Sequence, residues 1–181
     1  MASVITATNS SGLTTSADNS GVLQLASGTG NLVTVPSVTG TAMVSGNMPA
    51  FSAYPSSGQT SVSGLVKILF GTEEYDTNNC FASSRFTPNV AGYYQLNTFV
   101  QGSWVNSEVA IYVYKNGSNH KIGLDLLIPT GGLNYGVGMS TLVYANGTTD
   151  YFEIYLYSGA SQTLGSAATN TWFNGSMVRG A

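Results

Sequence analysis

Chemically reactive side chains are sparse in this chain: eight Asp and Glu, one His and one Cys among 181 residues. The densest group is Glu73, Glu74 and Asp76, followed by Asn78 and Asn79, a run of hard oxygen donors of the kind calcium takes. Its spacing lacks the alternating ligands and the glycine of a dedicated calcium loop, and a solvated acidic loop explains the same residues. His120 stands in SNHK beside Asn116 and Gly117. With no G-x-S-x-G motif and no second His to complete a metal site, it reads as a solvated loop residue. Glu108, Asp125, Asp150 and Glu153 are the later carboxylates, and nothing in their spacing pairs them as glycoside hydrolysis requires. Cys80 alone can build neither an intrachain disulfide nor a metal site; a reduced, half-buried thiol beside Phe81 and an intermolecular bridge are its two readings. No catalytic residue, metal ligand or cofactor is assigned.

Two further stretches bear on binding. Trp104, in QGSWVNSE, is a large aromatic in an expected loop tip, a candidate contact for a sugar or protein ligand or else a cap on the end of the fold. GGLNYGVG, from Gly131 to Gly138, lacks the Lys-Ser/Thr ending of a phosphate loop and reads as a flexible connection into a strand. Sequons occur at Asn9, Asn116, Asn146 and Asn174, three of them at Asn-Gly pairs that turn geometry explains without glycans.

The elements that must carry these residues are strands. RFTPNVAGYYQLNTFV, Arg85 to Val100, supplies a turn through Pro88 and Gly92 and then alternates with the strand period. Tyr94, Leu96, Thr98 and Val100 share one face, with Tyr93, Gln95, Asn97 and Phe99 on the other. Strands are expected at 51–54, 62–70, 80–87, 93–101, 108–115, 122–128, 137–145, 150–157 and 171–179, with hairpin signals at Asn116-Gly117 and Asn146-Gly147 and no helical period. Val109 to Tyr114 and Tyr151 to Tyr157 carry apolar or tyrosine side chains on both faces, more than one core needs, which points to oligomer or ligand contacts. The expectation is a 49–181 head domain of all-β class preceded by a 1–48 extended arm for docking or inter-subunit contacts. That arm is rich in Ser, Thr, Gly and Asn, and its short apolar pieces, Val22 to Leu25 and Leu32 to Val35, need contacts from a neighbour to repay the ordering of the backbone.

Composition narrows the function classes. Only 7% of residues are charged, against 43% hydrophobic and 11% aromatic, with a net charge of -3. The five Lys and Arg are scattered, so no basic patch faces a nucleic acid. The N-terminal MASVITATNSSG shows neither a signal peptide nor a long apolar run, so no membrane insertion is expected.

F-T-P-x-x-A-G-x-Y-x-L, starting at Phe86, resembles the central signature of the complement 1q-type globular head, a relative of the tumour necrosis factor jelly roll. KILF (Lys67 to Phe70), YDTNNCF (Tyr75 to Phe81), VYKNG (Val113 to Gly117), DYFEIYLYSG (Asp150 to Gly159) and WFNGSMV (Trp172 to Val178) reinforce it in order, covering roughly Phe51 to Ala181. The resemblance implies a jelly-roll β-sandwich and a homotrimer. It places the strands containing Phe99, Val137 to Val143 and Trp172 in the sheet facing the threefold axis, with Phe99, Val137, Met139, Val143 and Trp172 toward neighbours and Tyr94, Leu96, Leu142 and Phe173 in each subunit's core. No collagen-like Gly-X-Y repeat precedes the head, a departure from the family. SSGLTTSADNSGVLQLASGTG in the arm resembles stretches of tailed-bacteriophage tail fibres and other virion appendages. Together these imply a non-enzymatic virion protein, made in the host cytoplasm: a trimeric tail-fibre or spike-like head contacting a host-surface glycan or protein, joined to other virion proteins through its arm. The alternative is a trimeric capsid cement or decoration protein.

Overall fold

The structure, a computed structural model, describes residues 23–26, 32–35, 46, 48–129 and 133–181. The chain divides into two compact units, Met1–Thr39 and Gly40–Ala181. In the first, β1 (Leu23–Ala26) pairs antiparallel with β2 (Leu32–Val35), Leu23 opposite Val35. The rest of the arm expected over 1–48 lies almost wholly outside the described residues.

The second unit is a two-layered antiparallel sandwich, a jelly roll. One sheet runs in the order β11 (Leu133–Ala145), β8 (Gly92–Trp104), β13 (Thr171–Gly180), β3 (Ala50–Tyr54), β5 (Thr72–Asp76). The other runs β10 (Ser118–Ile128), β9 (Ser107–Lys115), β12 (Phe152–Gln162), β7 (Arg85–Phe86), β6 (Phe81–Ala82), with β4 (Val62–Lys67) also paired to β12. Period-two alternation explains the layering: along β8 the even residues from Gly92 to Trp104 are buried and most of the odd ones half-exposed, as a strand covered on one face requires.

Between the sheets, Phe51 stacks on Phe81 and Phe86 with centroids 4.8 and 4.4 Å away, and Phe173 meets it edge-on at 4.8 Å. Each buried ring contributes about 1.5–3 kcal/mol relative to exposure, so this cluster dominates the packing. Gly175 lies opposite Leu96 in the middle of β13, where a Cβ would stand 2.6 Å from Leu96 Cδ2 and 2.9 Å from Phe51 Cε1. The Asn174-Gly175 pair is therefore strand interior and not a turn, its glycine demanded by the rings above it.

Three local expectations change. The run 80–87 is two short strands joined by Ser83 and Ser84, both with positive φ (52° and 58°), a tight turn built without the usual Asn-Gly signal. Ser84 holds it: its hydroxyl accepts from Phe70 N at 2.8 Å. Thr72–Asp76, unassigned from sequence, is an edge strand on β3. Asn116-Gly117 closes the β9–β10 hairpin, whereas Asn146-Gly147 carries the chain from one sheet to the other, Asn146 Oδ1 accepting from Thr148 N, Thr149 N and Asp150 N.

Candidate interaction surface

The outward face of β11, β8 and β13 is built in layers. Gln95, Asn97 and Phe99 project from β8, with Ser140 opposite Asn97 on β11 and Asn174 and Trp172 opposite Asn97 and Phe99 on β13. A continuous hydrogen-bonded row crosses the three strands: Gln95 Nε2 donates to Ser140 Oγ at 2.8 Å, Ser140 Oγ to Asn97 Oδ1 at 2.7 Å, and Asn97 Nδ2 to Asn174 Oδ1 at 3.0 Å. Beyond the row, Phe99 lies parallel to Trp172, centroids 6.4 Å apart. Its ring covers the backbone of β11 where Gly136 and Gly138 leave room; a Cβ at Gly136 would stand 2.0 Å from Phe99 Cζ. On the other side of the row Tyr93 and Tyr144 pair at 5.4 Å, beside exposed Leu142 and Val178. Across β8, β11 and β13 the one charged residue is Arg179.

Of the residues expected to face neighbours, Phe99 and Trp172 stand together on this half-exposed face. Val137 and Val143 do not: they are 0% and 2% exposed, in the subunit's own core. Met139 is packed against that core, facing Gly123 of β10. Leu142, expected inside, is 52% exposed. The register supplies the reason: Val137 is opposite Val100 and Val143 opposite Tyr94, and cross-strand partners share a face, so the odd residues of β11 turn inward with the even residues of β8. Apolar residues at both parities of this strand hid that phase from the sequence.

Trp104 is corrected as well. β8 continues through it, so its even position turns it inward, 0% exposed, with Nε1 donating to Tyr135 O at 2.7 Å. It braces the end of the sandwich and touches no solvent-borne ligand. Gly92 has no positive φ; the glycine is required because a Cβ would meet Arg179 O at 2.3 Å. In the acidic run, Asp76 accepts from Asn78 N and, at 2.7 Å, from Phe81 N, and Glu74 accepts from Ser52 Oγ at 2.6 Å, so two of its carboxylates are engaged in shaping the chain. Among the described residues no three His, Cys, Asp or Glu side chains gather for a metal. Cys80 is buried, and burial, the largest influence on it, pushes its thiol pKa up, away from reactive thiolate. His120 is an exposed residue of β10; partial burial and then Lys121 and Lys115 push its pKa down.

The second sheet's outward face is different in kind. Tyr112 and Tyr114 on β9 share it with Tyr155 and Tyr157 on β12, Tyr114 stacking on Tyr155 at 4.1 Å. Beside them lies a feature sequence spacing did not reveal. Glu153, 3% exposed, receives Lys67 Nζ at 2.7 Å and Arg85 Nε at 3.0 Å, and Arg85 lies over the Tyr151 ring at 3.8 Å. Burial pushes the Glu153 carboxyl up, but hydrogen bonds and charge from Lys67 and Arg85 outweigh it and hold the pKa below the usual range. Asp150 behaves alike: burial is outweighed by Asn116, Lys115 and the Asn146 N–H. Glu153, Lys67 and Arg85 are 86 and 68 residues apart in sequence, so only the β4–β12–β7 pairing could have disclosed the cluster.

No protein-family model matches the chain, and no curated protein matches it in sequence. Solved structures do. The globular domain of zebrafish complement 1qA superposes with a TM-score of 0.58 at 14% identity, covering 74% of this chain and 98% of that one. Murine APRIL at pH 5.0 gives 0.56 at 9% identity, covering 72% and 99%, and the Eiger TNF of S. frugiperda 0.52 at 9%, covering 75% and 95%. At these identities the likeness establishes the architecture: the chain carries a jelly-roll sandwich similar to the heads of complement 1q and tumour necrosis factor proteins.

Proposed function

We propose that this protein is a non-enzymatic component of a bacteriophage virion, a homotrimeric appendage whose head contacts the host surface and whose N-terminal arm docks on other virion proteins. The observation that carries the trimer is the outward face of β11, β8 and β13. It presents Phe99 and Trp172 beside a hydrogen-bonded amide row, with Arg179 its one charge. A partner covering it desolvates rings and already-bonded amides but almost no ions, and ions are what make burial expensive. The likeness of the sandwich to complement 1q and tumour necrosis factor heads supports a trimer formed through this sheet. The virion assignment rests on the arm's likeness to phage appendage sequences. Imaging of intact particles with an antibody to residues 49–181 tests it. Label at the tail supports the attachment reading, label over the capsid shell replaces it with the cement role, and unlabelled particles sink both.

A further inference from the structure

Past Phe99, where β8 and β11 meet the connection from β12 to β13, the surface opens into a pocket of about 200 Å³ lined by Gln101, Ser103, Asn134, Thr163, Gly165 and Asn170 among others. No Lys, Arg, His, Asp or Glu lines it. Its walls are tied together through the backbone: Gly165 N donates to Gln101 O at 2.8 Å, Gln101 N to Asn170 O at 3.0 Å, and Ser103 N to Thr163 O at 3.3 Å. Ser103 Oγ donates to Asn134 Oδ1 at 3.1 Å and Asn170 Nδ2 to Gln101 Oε1 at 2.8 Å, which fixes how the amides stand. Trp104 supports the strand from inside, its ring 2.7 Å from where a Cβ on Gly102 would be.

One polar atom in this wall is unaccounted for. Asn170 Oδ1 is buried with no hydrogen-bond partner, the sole such side-chain atom among the described residues. An acceptor that the protein itself does not meet is completed by ordered water or by a ligand. Gly165 adds a second sign. It has no positive φ, so its backbone does not call for glycine, yet a Cβ there would stand 3.1 Å from Asn170 Oδ1. The glycine lets the whole Asn170 amide pack against the chain there, which fixes this wall of the pocket.

We infer that this cavity is a saccharide subsite, taking one ring of a neutral hexose or N-acetylhexosamine. The inference deepens the host-contact reading and rests on it only for the source of the sugar. Size argues for one ring: sites for drug-sized ligands run to about 300–1,000 Å³, above the volume of this open pocket. Charge argues for neutrality, since no cation meets a phosphate, sulfate or carboxylate and no carboxylate offsets the dehydration of a metal ion. The lining amides and hydroxyls both donate and accept, as do sugar hydroxyls, and the tied walls hold them in place before the ligand arrives.

The test titrates isotope-labelled full-length protein with glucose, galactose, mannose and their N-acetylated amines, and in a second arm with oligosaccharides ending in the same sugars, following amide resonances. Saturable shifts confined to Gln101, Asn134, Thr163 and Asn170, lost in Ser103→Phe while its mass and remaining spectrum match wild type, are the expected result. A response to the oligosaccharides alone assigns the site to a chain end, and a response to both assigns it to the ring itself. Should Ser103→Phe fold poorly, Gly165→Val fills the same space from the opposite wall. The inference is overturned by the absence of any saturable shift in wild type, by shifts that survive both filled variants, or by shifts that map to the Tyr112 and Tyr155 face. Sugar binding in a protein absent from particles would keep the subsite and remove the virion reading, while no binding in a trimer found on particles would do the reverse.

Discussion

The two outward faces of this sandwich are made from the same period-two alternation and end up chemically opposed. On β11, β8 and β13 the exposed positions hold amides, a serine, paired rings and glycines under Phe99, with Arg179 as the one charge. On the other sheet they hold Tyr112, Tyr114, Tyr155 and Tyr157, with Lys67, Arg85 and Glu153 interlocked beside them and Glu108 and Asp125 farther along. The difference is what each face can afford to lose. Amides that already bond one another give up less water when covered than ions do, whereas half-exposed ion pairs and tyrosine hydroxyls keep their solvation only if left wet. Charge distribution, more than hydrophobicity, separates a face fit for burial from a face fit for solvent.

The sharpest way to break this comparison is to place a carboxylate on each face. In the proposed trimer, Phe99→Glu should reduce the mass measured by light scattering from three chains to one, while Tyr155→Glu should leave it at three; equal behaviour of the two variants removes the distinction between the faces. Met139→Glu should behave unlike either, because Met139 is partly buried against the subunit's own core: an unpaired carboxylate there should lower the melting temperature of each subunit and not simply yield folded monomers. Gly136→Val separates ring placement from charge. Its side chain must displace the Phe99 ring, and an overpacking cost of about 1–3 kcal/mol per subunit is expected, read as a lower melting temperature with a weakened trimer.

Glu153→Gln should be milder and confined to the other face. Leaving two partly solvated cations without their carboxylate should cost about 1–3 kcal/mol and leave the trimer mass unchanged. The same residue gives a pH signature. Its native pKa lies below the unfolded value, so its contribution is fully present above the ordinary glutamate range and is lost as pH falls through the lower native value. Wild type should therefore lose melting temperature on acidification below about pH 4.3, and Glu153→Gln should lose less. A slope that is identical in the two proteins would show that the cluster does not act as a linked site. Smallest of all, Tyr155→Phe should stay within about 0.5 kcal/mol of wild type, since the ring stack on Tyr114 survives the loss of a solvated hydroxyl.

Much of the fold was legible in the chain because alternation and turn chemistry are local. β8, β9, β12 and β13 fall where their patterns put them, and the Asn116-Gly117 hairpin needed nothing beyond two residues. Legibility fails where the decisive fact is a partner. The face of β11 depends on its register with β8, since Val137 and Leu142 are equally apolar out of context. Trp104 reads as a loop tip until the strand beneath it is seen to continue. The turn at Ser83 and Ser84 is stabilised by Phe70, fourteen residues away, not by its own residue types. Glu153 looks like any strand carboxylate until β4 and β7 bring two cations to it.

The near-absence of charge across β8, β11 and β13 also bears on how fast such surfaces find one another. A patch whose one charge is Arg179 supplies no attraction to offset the weak mutual repulsion of chains carrying -3, so encounters between copies are not steered together and proceed at the roughly 10⁵–10⁶ M⁻¹s⁻¹ of neutral docking. Salt then has only that repulsion to screen. The proposed assembly through this face should therefore not weaken as salt is raised, since salt screens the repulsion between copies and strengthens apolar burial, making it a joint that tolerates a wide range of ionic strength.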